Sequence, residues 1–217
     1  MDKKQELLAL KQKLESRGDT PFVNSPKDIV FGDGNPNTEL MFIGEAAGYW
    51  ETVERKPFVG PAGKLLVKTL KETLGLDRDQ VYISNIVKAR PPNNRDPQPD
   101  EIEAFRPYLD KEIEIIQPKI IATLGRFSMA KFIPDVSISR VHGQPRFFEF
   151  STINDKLTNY KPIIFPMYHP AAALRSGTVL NDFIQDFNKL KTLLSQKYET
   201  PITVVETLQK PAQTTLF

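Results

Sequence analysis

Cysteine is absent from this 217-residue chain. Without a thiol there is no disulfide, no thiolate zinc site, no cysteine nucleophile and no cysteine-held iron–sulfur cluster. Strong charge of one sign is missing as well: charged residues make up 26% of the chain, yet the formal net charge is only +2. A field that weak does not by itself mark a polyanionic partner, so that argument must come from local clusters. No apolar run reaches membrane-spanning length, and Met1-Asp2-Lys3-Lys4 opens a helical pattern rather than a secretory core. The expectation is a monomeric cytoplasmic protein without membrane contact, with one domain over 1–197 and a tail over 198–217.

What is present alternates between strand and helix. Leu7, Leu8, Leu10 and Leu14 recur at helical spacing, and 18–36 is an irregular stretch rich in turn formers, read as a wrapping segment. Strands are expected at 39–44, 81–87 and 120–124, with further strands at 144–150 and 162–165. Helices are expected at 61–74, with Pro61 in its first turn, and at 99–116, 127–132 and 180–194. Repeated strand-helix-strand units imply an α/β fold whose mainly parallel sheet is covered on both faces.

Two sharp turns lie where apolar runs stop. Gly44-Glu45-Ala46-Ala47-Gly48 follows Leu40-Met41-Phe42-Ile43, and His169-Pro170-Ala171-Ala172-Ala173 follows a run ending at Tyr168. Both read as loops at the carboxyl ends of buried strands, where open α/β sheets bind ligands. The strand at 81–87 brings Asn85 to the same rim. Its amide offers a donor and an acceptor side by side, the complement of the O4 and N3–H edge of uracil. Phe58 can wall a base taken out of its stack, and His169 can donate to a carbonyl oxygen that gains charge as a base leaves its sugar. Those three side chains fit a departing pyrimidine.

Four ordered segments carry a resemblance: Gly44-Glu45-Ala46-Ala47-Gly48, Pro57-Phe58-Val59-Gly60-Pro61-Ala62-Gly63, the run from Ser84-Asn85 to Asn94-Arg95, and Tyr168-His169-Pro170-Ala171-Ala172. Together they resemble the family 4 uracil-DNA glycosylases over about residues 30–190. The resemblance implies a three-layer α/β/α fold with a central four-stranded, mainly parallel sheet. It also implies DNA containing uracil as substrate and hydrolytic, monofunctional cleavage of the N-glycosidic bond, without a nucleotide cofactor. By matching positions, Asn85 reads uracil, Phe58 stacks on it, Ala46 and Gly48 of the first loop belong to the uracil site, and His169 stabilises the leaving pyrimidine.

Departures from the family pattern are informative. Its members usually hold a four-iron cluster on four cysteines; two of those positions carry Ala89 and Phe105 here, and the others fall near Arg17 and Thr20. With no thiolate to ligate iron, the expectation is no cofactor and no metal, with packing around Phe22, Ala89 and Phe105 in the cluster's place. Ala47 stands where proline is common, and Ala173 where a wedging leucine is often found, which leaves Leu174 or Arg175 for that role. Ala46 carries no carboxylate, so Glu45 or Glu51 is expected to orient water in a largely dissociative reaction. Single-stranded and mispaired uracil are the expected substrates, because extrusion costs least there.

Lys88, Arg90, Arg95 and Arg175 flank these motifs and are expected to grip phosphates. The tail ends Gln213-Thr214-Thr215-Leu216-Phe217, which resembles the pentapeptide that docks on the bacterial sliding clamp through Gln213, Leu216 and Phe217. Two other readings stand beside the enzyme: a DNA-binding or clamp-associated module with little turnover, and a glycosylase for another deaminated base such as hypoxanthine or xanthine.

Overall fold

A computed structural model describes residues 2–149 and 160–196. Six strands form one sheet: β1 (Asp33–Gly34), β2 (Leu40–Gly44), β3 (Tyr82–Asn85), β4 (Ile120–Leu124), β5 (Arg146–Phe147) and β6 (Ile163–Met167). Their spatial order is β1-β3-β2-β4-β6-β5. The expected four parallel strands are the centre, β3-β2-β4-β6, and the two-residue strands β1 and β5 pair antiparallel at its edges. Only two residues of the expected 144–150 strand pair in this way, and residue 150 lies outside the described residues.

Eight α-helices surround the sheet among the described residues. These are α1 (Lys3–Glu15), α2 (Tyr49–Glu54), α3 (Pro61–Thr69), α4 (Pro99–Ile116), α5 (Arg126–Ala130), α6 (Ile138–Val141), α7 (Pro170–Ala173) and α8 (Gly177–Ser195). The expected helix at 61–74 is α for its first part and widens into a π turn over Leu70–Leu74, closed by Gly75 in the left-handed conformation at φ 72°. Helix α8 starts a turn earlier than hydrophobic spacing suggests, because Ser176 caps it by accepting the Val179 N–H at 3.4 Å.

Strand alternation divides the core into two layers. Met41, Ile43, Tyr82, Ile121 and Ile164 face the cluster shared with Leu14, Phe105, Leu109 and Ile113, while Leu40, Phe42, Ile83, Ala122 and Phe165 face the cluster shared with Leu66, Phe183 and Phe187. Every residue of β2, β3, β4 and β6 is buried, as a parallel sheet covered on both faces requires. No helix among the described residues is long and apolar enough to cross a membrane.

Ala89 and Phe105 are fully buried and lie in one apolar cluster with half-buried Phe22. Two positions that would have to supply iron ligands are therefore hydrocarbon in a hydrocarbon setting, so the residues present do not fit a cysteine-held cluster. Among the described residues, no group of three or more histidine and acidic side chains is placed to hold a metal ion either.

The chain order sets the position of the functional crevice. From β2 the chain moves outward to β3, then returns across β2 to β4 and on to β6. The connections after β2 and β4 thus diverge to opposite sides and leave a gap at their carboxyl ends, the topological switch point of an open α/β sheet.

Candidate active site

A cavity of about 670 Å³ opens at that switch point. Its lining includes Glu45, Ala46 and Gly48 from the loop after β2, Gly125 and Arg126 after β4, and Tyr168 and His169 after β6. Glu51, Phe58, Arg95 and Arg175 also face it, whereas Asn85, Lys88, Arg90 and Leu174 are not among its lining residues.

Asn85 sits at the end of β3, in register with Gly44 at the end of β2. It is only 1% exposed, and neither the nitrogen nor the oxygen of its side-chain amide has a hydrogen-bond partner among the described residues. Burying an amide unpaired costs about 1–3 kcal/mol, so such a group calls for a ligand-based explanation. Gly44 is what lets Asn85 and Phe58 converge: a Cβ there would collide with Asn85 Oδ1 and lie 2.5 Å from Phe58 Cε2.

Phe58 is 6% exposed and its backbone is left-handed at φ 55°, a costly conformation for a bulky residue. Two side chains hold it there. Glu51 Oε1 accepts the N–H groups of Val59 at 3.0 Å and Gly60 at 2.8 Å, and Arg78 donates to the carbonyls of Phe58 at 3.2 Å and Pro57 at 2.5 Å. Gly63 leaves room for the Phe58 carbonyl, since a Cβ at that position would overlap it. Arg78 carried no sequence signal, because the fold alone brings it to the 57–60 loop.

His169 is half-buried, its ring 5.6 Å from that of Phe58. The Ala171 N–H donates to Nδ1 at 3.1 Å, which leaves Nε2 to carry the proton of the neutral ring. Desolvation lowers its pKa to about 4, with Glu51 opposing and Arg175 reinforcing the shift, so the ring is neutral at pH 7. Glu45 shifts the other way. Burial and, secondarily, the Asp96 carboxylate raise it to about 7, against the opposing charge of Arg126. A carboxyl group and an imidazole with displaced titrations thus face one cavity.

The basic rim differs from the sequence expectation. Lys88 does not reach the surface: it is fully buried, ion-paired with Glu112, and its ammonium donates to Ser84 Oγ and to the Asn85 carbonyl at 3.0 Å. A phosphate cannot approach it, because it lies inside the core behind β3. Arg95 is exposed but engaged in a two-pronged pair with Glu101 at 2.6 and 2.9 Å. Arg90 packs over the Tyr49 ring at 5.4 Å, and exposed Arg126 pairs with Asp96 at the cavity. Arg175 is exposed beside Leu174, itself 52% exposed at the end of α7, and Arg175 forms no ion pair among the described residues. Gln213, Leu216 and Phe217 lie outside the described residues.

A family model described as the uracil DNA glycosylase superfamily matches residues 31–191. The chain belongs to that superfamily. Within it, the chain is 49% identical over 183 residues to a type-4 uracil-DNA glycosylase of Saccharolobus solfataricus, covering 82% of this chain and 80% of the relative. Type-4 uracil-DNA glycosylases of Archaeoglobus fulgidus and Thermotoga maritima are 41% and 38% identical, covering 80% and 78% of this chain and 85% of each relative. The superfamily's fold agrees with the parallel α/β architecture, and the cavity of this glycosylase lies at its switch point.

Proposed function

We propose that the protein excises uracil from DNA by hydrolysis of the N-glycosidic bond, the activity for which its type-4 uracil-DNA glycosylase relatives are named, and that it thereby serves DNA repair. The observation that carries the reading to particular residues is the buried, unpartnered Asn85 amide beside Phe58. In this reading Phe58 walls one face of the extruded base while Asn85 pairs with its O4 and N3–H edge. As the bond from C1′ to N1 breaks, its electron pair passes to the pyrimidine and collects on O2. His169, neutral and protonated on Nε2, donates a hydrogen bond to that oxygen.

Water then attacks C1′ and gives up a proton to a carboxylate. The uracil anion takes up a proton from solvent and the carboxylate returns its own to solvent, which resets the site. Glu45 suits the carboxylate's task better than Glu51, because Glu51 Oε1 already holds two backbone N–H groups. The products are uracil and an abasic deoxyribose. No step calls for a metal or cluster. In this reading Leu174, exposed at the end of α7, enters the gap left by the base, with exposed Arg175 beside it as a phosphate contact.

The deciding experiment is uracil release from a single-stranded oligonucleotide. Wild-type protein is expected to release the base, and Asn85→Ala to lower kcat/KM about 100-fold, through loss of the paired edge in a desolvated site. Unchanged release by the variant would remove Asn85 from base recognition. Salt-dependent DNA binding without release by the wild type would return the chain to a binding module.

A pH profile tests Glu45. With its pKa near 7, the ionised form grows as pH rises through neutrality, so kcat/KM should climb along an acid limb there. Glu45→Gln should be slower and lack that limb. A variant retaining the limb would place the titration elsewhere.

A further inference from the structure

We propose that Tyr49 and Trp50 form a stacking platform for a base adjacent to the extruded uracil in a single strand, an inference that rests on the uracil-excision reading above. Both residues lie on α2, a helix with no buried residue, and are 54% and 53% exposed. Large aromatic rings are usually buried, and these two contribute nothing to either core layer.

Their position explains the exposure. Both line the mouth of the cavity, with ring centroids 5.2 Å apart in an edge-to-face arrangement. Trp50 borders the loop that carries Phe58, since a Cβ at Gly60 would lie 3.5 Å from its Cδ1. The platform is therefore continuous with the pocket wall. Arg90 stands over Tyr49 and adds a positive charge beside the rings, so the surface combines the π-faces and cation that single-stranded nucleic acid uses. A strand whose central base has been drawn into the cavity has its neighbours unstacked, and they need a new face to cover them. A base is the occupant this surface suits, because the rings stand next to the site where another base enters.

Trp50 is the only tryptophan in the chain, which makes its fluorescence a direct reporter. Titrating the full-length protein with an oligothymidine lacking uracil should quench that emission, while an equally long strand of abasic sites should not. In uracil release from single-stranded DNA, Trp50→Ala should raise KM about 5- to 100-fold, with the change falling on KM rather than kcat. Replacing the bases flanking uracil with abasic spacers should raise KM similarly for the wild type and have little further effect on Trp50→Ala. Equal quenching by the abasic strand, an unchanged KM in the variant, or a wild type indifferent to flanking bases would overturn the platform. Failure of the wild type to release uracil would instead count against the enzymatic reading, and the fluorescence titration would still decide the platform.

Discussion

His169→Ala is expected to slow uracil release about 100- to 1,000-fold at saturating substrate, the loss seen when one donor to a developing oxyanion is removed. The geometry makes the effect specific to kcat. Because the Ala171 N–H occupies Nδ1, the ring offers its Nε2 proton without carrying a net charge. A neutral donor gains little from the uncharged ground state of the base and more as negative charge collects on O2. His169→Gln keeps a donor and should recover part of the rate, whereas His169→Phe should behave like the alanine variant. The linkage follows the same residue. With its folded pKa near 4, below the ordinary 6.5, His169 favours the fold fully above pH 6.5, and that contribution is lost as pH falls towards 4. Acid unfolding of His169→Phe should therefore begin at lower pH than that of the wild type. Full activity in His169→Ala would remove the histidine from the chemistry.

Glu112→Ala is expected to destabilise the protein by about 3–5 kcal/mol, because it strands Lys88 as an uncompensated buried charge. Four donors meet this one carboxylate. Oε1 accepts from Tyr82 at 3.0 Å and the Gly32 N–H at 3.2 Å, and Oε2 accepts from Ser84 at 2.8 Å and from Lys88. Desolvation pulls the Lys88 pKa down despite its partner, and burial with the nearby Glu112 charge pushes the Tyr82 phenol well up. For a domain of this size the loss corresponds to a drop of roughly 10 °C in Tm, readable by circular dichroism. Lys88→Met combined with Glu112→Leu removes both charges and should lie closer to the wild type than Glu112→Ala alone. A Tm unchanged by Glu112→Ala would show that the pair does not support the fold. Since Lys88 also holds the Asn85 carbonyl, a loss of uracil affinity should accompany the loss of stability.

The central strands were readable as apolar runs, and so were the loops at their carboxyl ends, but their spatial order, and with it the switch point between β2 and β4, exists only in the folded sheet. The edge pairings were not readable, since β1 and β5 are two residues each and depend on neighbours rather than on any local pattern. Lys88 misled for a physical reason: a sequence records its charge but not its depth. Its partner did leave a trace. Glu112 falls on the apolar stripe of α4 with Phe105, Leu109, Ile113 and Ile116, and an acid at such a position implies a buried donor. Tyr49 and Trp50 gave a weaker sign, two adjacent rings directly after Gly48. Arg78 gave none, because its contact with the Phe58 loop exists only once β3 is seated beside β2.

The hydrocarbon closure around Ala89, Phe105 and Phe22 bears on how this protein matures in the cell. A domain stapled by a metal cluster waits on assembly machinery, because its binding energy is also its folding energy. Here the same region closes with side chains the ribosome supplies, so iron starvation, chelators and peroxide attack on thiols have no cysteine-held group to dismantle.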